Sequence, residues 1–130
     1  MRQSFIPHFN EPETDINGRF ITGNSFSMSQ DGKKQALGKA YCVHVTSGGN
    51  RILLLGFLYD FPFFADNANV EFISDSVEES WFAAAMAEED IDLIVVTAHV
   101  DPQTFELDKI YNAIRQHYPL LPLLLLSGHR

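Results

Sequence analysis

Two apolar runs on either side of an amphipathic segment constrain the fold more than any other feature of the sequence. Residues 93–98 form the first run, which ends at His99, and residues 120–126 form the second, which leads into the Ser-Gly-His sequence at 127–129. Runs that are apolar almost throughout are typical of strands in a parallel sheet whose two faces are both covered. With the amphipathic residues 105–118 between them, the runs predict a strand, a helix and a second strand.

This strand–helix–strand unit places two histidines in a defined relation. A crossover between parallel strands of one sheet is right-handed, so the carboxyl ends of both strands lie at the same edge of that sheet. In open α/β sheets, ligands bind at that edge. We therefore expect His99 and His129, each just past its strand, to stand at a ligand-binding edge.

The rest of the chain predicts an α/β fold with a mixed β-sheet, flanking helices and the order β-β-β-β-α-β-α-β. Strands are predicted over residues 19–26, 39–46, 51–59 and 70–73, and helices over residues 76–89 and 105–118, the second of which Pro119 ends. Ser76 and Glu79 have the spacing of a capping box, in which each side chain accepts a backbone N–H at the start of a helix. Residues 1–16, which are polar and interrupted by Pro7, Asn10 and Pro12, form an irregular lead-in.

Local signals predict the turns between these strands. Residues 30–34 and 47–50 contain glycines that can supply a positive φ, and the second turn closes a hairpin. Gly56, inside an apolar strand, indicates a bulge or a close backbone approach. The aromatic residues of 57–64 favour packing into the core or against a partner over an aromatic substrate platform.

Charge and composition exclude several classes of function. The formal net charge is −8 and the pI is near 4.9, which argues against nucleic acid or anionic membranes as partners. A bound metal can reverse the field locally, so a phosphate substrate stays open. No apolar run approaches the roughly 20 residues of a membrane span, and residues 1–15 lack the apolar core of a secretory signal.

The remaining metal-ligating side chains have structural interpretations. Cys42 is the only cysteine, so it forms no internal disulfide, and its alternating strand pattern indicates a small core residue. We interpret His8 as a surface or packing residue and His44 as a hydrogen-bonding residue on the more polar strand face. The acidic residues 88–90 are interpreted as a solvated helix end rather than a metal cluster.

Five segments, in this order, resemble the middle-to-late part of a calcineurin-like metallophosphoesterase domain, and in particular the fungal proteins grouped with 5′-nucleotidases. They are NGRFITGN at 17–24, LLGFLYDF at 54–61, DLIVVTAH at 92–99, Ile114-Arg115 before Tyr118-Pro119, and Ser127-Gly128-His129. The resemblance implies that residues 17–130 are the C-terminal part of such a domain, with a partial metallophosphoesterase-type sandwich fold.

The resemblance also implies a chemistry. Proteins of this family hold two divalent metal ions, such as zinc, manganese or iron, which clamp a phosphate and activate a water molecule. His99 matches the histidine that follows the penultimate core strand, and His129 matches the first histidine of a Gly-His-x-His motif. Both would be ligands, mainly of one metal, and the substrate would be a phosphate ester or a nucleotide.

Other motifs of the family do not occur in the sequence. Asp-x-His, Gly-Asp and Gly-Asn-His are missing, Gly23-Asn24 is followed by Ser25, and the sequence stops at Arg130 before a second histidine. We therefore expect a fragment of a metal-dependent phosphoesterase that binds no metal tightly, contributes no catalytic residue and is inactive alone. Its exposed sheet edge would favour self-association.

Two alternatives to this interpretation stay open. The chain could be a degenerate, non-catalytic α/β module that acts through protein–protein contacts. It could also be an unrelated α/β domain in which His99 and His129 are ordinary residues at strand ends. A distance between the two imidazoles beyond the reach of one metal ion would favour this last interpretation.

Overall fold

The computed structural model of the chain describes residues 20–60 and 68–128. The elements in chain order are β1 (Ser25–Met28), β2 (Lys34–Ala36), β3 (Tyr41–Val45), β4 (Arg51–Leu58), β5 (Ala68–Val70), α1 (Ile73–Ser76), α2 (Ser80–Met86), β6 (Leu93–His99), α3 (Phe105–Arg115) and β7 (Leu123–Ser127). The predicted α/β class is confirmed. In these ranges no helix has both the length and the apolar character needed to cross a membrane.

The strands of the described residues form two sheets. The larger has the order β3-β4-β6-β7, in which β3 and β4 pair antiparallel while β4–β6 and β6–β7 pair parallel. This is the predicted mixed sheet, with the strand–helix–strand unit of β6, α3 and β7 inside it. The smaller sheet is antiparallel and has the order β2-β1-β5.

One face of the larger sheet carries the core. Because side chains alternate along a strand, every second residue of β4 and β6 faces the helices. The buried side chains include Leu53, Leu55 and Phe57 of β4, Ile94, Val96 and Ala98 of β6, Phe82 and Ala85 of α2, and Ile110 and Ile114 of α3. On the opposite face, Leu124 is 47% exposed and Leu126 is 49% exposed. The expectation that both faces of β7 are covered is therefore wrong for the described residues.

The predicted turns are present, with one strand more than expected. Gly49 has φ +88° in the β3–β4 hairpin, and Gly32 has φ +81° between β1 and β2. These are left-handed conformations that glycine adopts without a steric penalty. The turn predicted over 30–34 is followed by strand β2, in which Lys34 pairs with Met28.

The helix predicted over residues 76–89 is two short helices, and its capping box is wrong. Ser76 is the last residue of α1, and its hydroxyl donates to Glu71 Oε1 at 2.9 Å. Glu79 precedes α2 and makes no side-chain cap bond. The helix begins early because Asp60 Oδ1 accepts the Ile73 N–H at 2.8 Å, which satisfies a free donor of the first turn. The strand predicted over 70–73 accordingly ends at Val70.

The second helix ends before the proline that was expected to stop it. α3 ends at Arg115, whose Nη1 donates to the carbonyl oxygens of Tyr118 and Leu121 at 3.0 and 2.6 Å. This guanidinium fixes the turn that leads toward β7. Leu120 is 92% exposed, and the strand predicted from residue 120 begins at Leu123.

Glu88 has a structural role that the sequence interpretation missed. It is half-buried beyond the end of α2, where Tyr41 Oη donates to Glu88 Oε2 at 2.9 Å and Arg51 Nη2 lies 3.7 Å from Oε1. Tyr118 Oη donates to the Glu88 carbonyl oxygen at 2.6 Å. Burial, with the Glu88 charge added, raises the pKa of both Tyr41 and Tyr118. Glu88 therefore joins α2 to the amino-terminal edge of the sheet, and the solvated interpretation is wrong for it.

Candidate functional site

A cleft of about 680 Å³ lies at the carboxyl edge of the parallel strands. Its lining includes residues 56–58 of β4, 97–99 of β6 and 126–128 at the end of β7. The smaller sheet and its connections also line the cleft, with residues 20–22, 25–26, 37 and 69–70. The volume is in the range of small-molecule sites, which are mostly apolar with a few polar groups.

The structure places His99 at this cleft. His99 is the last residue of β6 and pairs in register with Leu58 of β4. Ala98 and Val100 are buried in the core, so the alternation of the strand directs Thr97 and His99 to the opposite face. His99 is exposed there and lines the cleft.

His129 lies outside the residues that the structure describes. β7 ends at Ser127, which pairs in register with Ala98, and both Ser127 and Gly128 line the cleft. The described part of the chain thus ends at the cleft with Gly128, one residue before His129 and one residue after the Ser127–Ala98 pair.

Tyr59 holds His99 from the neighbouring strand. The Tyr59 N–H donates to the His99 carbonyl oxygen at 3.1 Å, one residue beyond the end of β4. The two rings lie side by side, with centroids 5.9 Å apart and an interplanar angle of 52°. Both the backbone and the imidazole of His99 are therefore in contact with Tyr59.

Asn24 organises the other side of the same strand end. It is fully buried, and its Nδ2 donates to the carbonyl oxygens of Leu58 and Glu71 at 2.7 and 2.9 Å. Its Oδ1 accepts the Leu58 N–H at 2.9 Å. Our sequence interpretation treated Gly23-Asn24 as an irregularity in a short strand. That interruption of the strand pattern was the one local signal for this role.

Two glycines let the segment before β1 approach β4 closely. The Gly23 N–H donates to the Gly56 carbonyl oxygen at 2.8 Å. A Cβ at Gly56 would overlap the Ile21 carbonyl oxygen, and one at Gly23 would overlap the Trp81 ring. The close backbone approach predicted at Gly56 is thus confirmed. It places residues 21–24 against β4 beyond Tyr41, where β3 begins.

The other predicted candidates lie apart from the cleft or outside the described residues. His44 is exposed on β3 opposite Ile52, and Cys42 is half-buried opposite Leu54. Neither lines the cleft. Phe57 is buried and its ring packs against Trp81 with centroids 5.8 Å apart, as the core interpretation of the aromatic run expects. His8 and the aromatic residues 61, 63 and 64 lie outside the described ranges.

The described residues do not form a complete metal site. Among residues 20–60 and 68–128, no group of three or more His, Cys, Asp and Glu side chains is placed to hold a metal ion. The cleft contributes one imidazole, from His99, beside the hydroxyls of Ser25, Thr97 and Ser127. Catalytic zinc takes three protein ligands and structural zinc takes four. A metal at His99 would need its further ligands from outside the described residues.

Sequence comparisons place this chain beside much longer fungal proteins. No family model matches it. An uncharacterized protein of Schizosaccharomyces pombe is 25% identical over 126 residues, which are 96% of this chain and 20% of that protein. A protein of Arthroderma benhamiae named as a secreted protein is 26% identical over 117 residues, 85% of this chain and 18% of that protein. The chain therefore spans about a fifth of the length of the curated relatives it matches.

A comparison of structures shows the fold. The crystal structure of 5'-nucleotidase from Candida albicans SC5314 matches with a TM-score of 0.84 and 22% sequence identity. The match covers 98% of this chain and 24% of the nucleotidase chain. The match shows that this chain shares the fold of one part of that protein.

Proposed function

We propose that residues 17–130 are the C-terminal part of a metal-dependent phosphoesterase domain, with residues 1–16 as a lead-in. The intact protein would hydrolyse phosphomonoesters, with nucleotides as the preferred class. The observation that carries this proposal is the position of His99. It lies at the carboxyl edge of the parallel strands and lines the cleft, as do Ser127 and Gly128, the two residues that lead to His129.

In this proposal His99 and His129 are ligands of one of two divalent ions, such as zinc, manganese or iron. The ions would neutralise the charge of the phosphate and activate a water molecule. This chain would contribute the imidazole donors and one wall of the cleft. The likeness to the nucleotidase fold and the ordered motifs at 17–24, 54–61 and 92–99 support the assignment.

The chain by itself would be inactive. The sequence motifs that carry the family's bridging aspartate, asparagine ligand and proton-donating histidine do not occur in it. Two imidazoles without a carboxylate bind a metal weakly and do not build a bridged pair. Metal-dependent phosphatase activity would therefore belong to the longer protein.

Histidine NMR of the chain tests the metal assignment one residue at a time. On titration with Zn²⁺, we expect the imidazole resonances of His99 and His129 to shift together. His44, which is exposed on β3 away from the cleft, is the internal control and should not follow them. In a His99→Ala variant the response of His129 should weaken. Equal responses at His44 and His99, or none at His99, would refute the assignment.

The longer protein tests the activity. We expect hydrolysis of a nucleoside monophosphate that is abolished by a chelator and restored by added metal. His99→Ala should remove most of this activity, while the matched variant His44→Ala should retain it. A longer protein that carries all the family motifs and shows no such hydrolysis would contradict the proposal.

A second candidate is a non-catalytic module that acts through protein contacts. It is favoured by the half-exposed Leu124 and Leu126 on β7, which pairs only with β6 among the described strands. Exposed apolar residues on an edge strand favour association. A longer protein that binds a partner through this face, and keeps binding it in a His99→Ala variant without any hydrolysis, would support this candidate over the first.

A further inference from the structure

We propose that Asn24 is a positioning residue for His99, and that it acts through the end of β4 and Tyr59. The proposal rests on the proposed function in one respect: the position of His99 matters for activity only if His99 is a ligand. The positioning itself is a property of the fold. It can be tested on the chain alone, without metal or substrate.

The first step is the edge of β4. β3 pairs with β4 only from Val45–Arg51 to Tyr41–Leu55, so residues 56–58 need other partners at that edge. Gly23 supplies a backbone N–H to Gly56. The Asn24 carboxamide then takes both backbone groups of Leu58, with Oδ1 accepting its N–H at 2.9 Å and Nδ2 donating to its carbonyl oxygen at 2.7 Å. One side chain thus replaces a strand residue.

The second step is the connection that follows β4. Asn24 also binds both backbone groups of Glu71. Its side-chain Nδ2 donates to the Glu71 carbonyl oxygen at 2.9 Å, and its backbone carbonyl oxygen accepts the Glu71 N–H at 2.8 Å. Leu58 and Glu71 are therefore held on one fully buried residue. Asn24 fixes where the chain leaves β4 and where it arrives before α1.

The third step leads from Leu58 to His99. These two residues are partners in the parallel register of β4 and β6. The next residue, Tyr59, donates its N–H to the His99 carbonyl oxygen and packs its ring 5.9 Å from the imidazole. A displacement of Leu58 would move Tyr59, and both contacts of Tyr59 would transmit it to His99.

The side-chain amide of Asn24 suits this role because it can donate two hydrogen bonds and accept up to two. Here it donates two and accepts one, and each partner is a backbone group at a strand end. Asn24→Ala would leave one N–H and two carbonyl oxygens without these partners in a buried site, where such groups are costly. The strand end beyond Gly56 would then open locally more often.

The test compares NMR observables of the full chain in Asn24→Ala and in the wild type. We expect exchange of the Tyr59 amide to accelerate by about tenfold or more, since buried hydrogen bonds of the strand end are lost. The His99 ring resonances should shift as the neighbouring Tyr59 ring moves. If His99 binds Zn²⁺, its apparent affinity should fall in the same variant.

Two matched variants separate positioning from general destabilisation. Asn112→Ala removes the same side chain from an exposed position on α3 and should leave the Tyr59 amide and the His99 ring unchanged. Ile114→Val thins the core under the same sheet and should lower global stability without shifting the His99 ring. If Asn24→Ala behaves like Ile114→Val, Asn24 is merely structural and the proposal is overturned.

A measurement on the wild type covers the case in which Asn24→Ala does not fold. In native-state hydrogen exchange at low denaturant, the Leu58 amide, bound by Asn24, and the Tyr59 amide, bound by His99, should exchange through one shared opening. Separate openings would overturn the proposal. If the His99 ring resonances of the wild type do not respond to Zn²⁺, the proposed function is refuted. The amide exchange rates and the His99 ring resonances would still test whether Asn24 positions His99.

Discussion

Gly56 offers the sharpest test of how residues 21–24 are held against β4. In Gly56→Ala the new Cβ would lie 3.0 Å from the Ile21 carbonyl carbon and would overlap the carbonyl oxygen. Because the obstacle is backbone, the segment itself must shift. Overpacking of this kind costs roughly 1–3 kcal/mol, and the lower entropy of the unfolded chain offsets roughly 0.4–1 kcal/mol of it. From the middle of these two ranges we expect a net loss of about 1–2 kcal/mol in the free energy of unfolding.

Urea denaturation followed by tryptophan fluorescence measures this loss, since Trp81 packs on Gly23 in the same segment. With a slope of roughly 2 kcal/mol per molar urea for a domain of this size, the midpoint should fall by about 0.5–1 M. Gly48→Ala is the matched control, because its Cβ would meet only side-chain atoms at 3.9 Å or more, and it should leave the midpoint unchanged or slightly higher. A Gly56→Ala midpoint at or above that of the wild type would refute the close approach.

Two further predictions concern pH and association. Burial and Glu88 raise the pKa of Tyr41 above the ordinary tyrosine value of 10.0, so its contribution to stability is complete below about pH 10 and is lost as the pH rises through the folded pKa. Urea midpoints between pH 9 and 11 should therefore fall more steeply in the wild type than in Tyr41→Phe, and equal slopes would contradict this. For association, the sedimentation coefficient of the wild type should increase with protein concentration, and Leu124→Lys should abolish this increase. Leu120→Lys, at an exposed site outside the sheet, should retain it.

The parts of the fold that local sequence patterns determine were predicted well. Apolar runs and an amphipathic period indicated β6, α3 and β7, and the parallel arrangement of the two strands follows from the helical crossover that joins them. The hairpin of β3 and β4 was predicted because its turn contains glycines, one of which has a positive φ. These signals depend on residues close together in the chain, so they can be recognised in a single sequence without any tertiary contact being known.

The errors arise where a distant residue changes a local preference. The predicted capping box at Ser76 and Glu79 is a good local signal, but Asp60, thirteen residues before Ile73, caps an earlier helix start instead. Glu88 had the pattern of a solvated helix end, yet Tyr41 binds it from a position 47 residues away. The start of a helix and the burial of a charged residue at its end therefore depend here on tertiary contacts, which the periodicity of the sequence does not indicate.

The candidate site shows the same division between local and distant information. That His99 would stand at the carboxyl edge followed from its place after an apolar strand, and the register with Leu58 places it there. The orientation of that edge depends on Asn24, which is 34 residues from Leu58 and 47 from Glu71 in the chain. No strand pattern predicts that one carboxamide will pair with both. A histidine at a strand end can therefore be found from sequence, whereas the hydrogen bonds that aim it are visible only once distant segments are brought together.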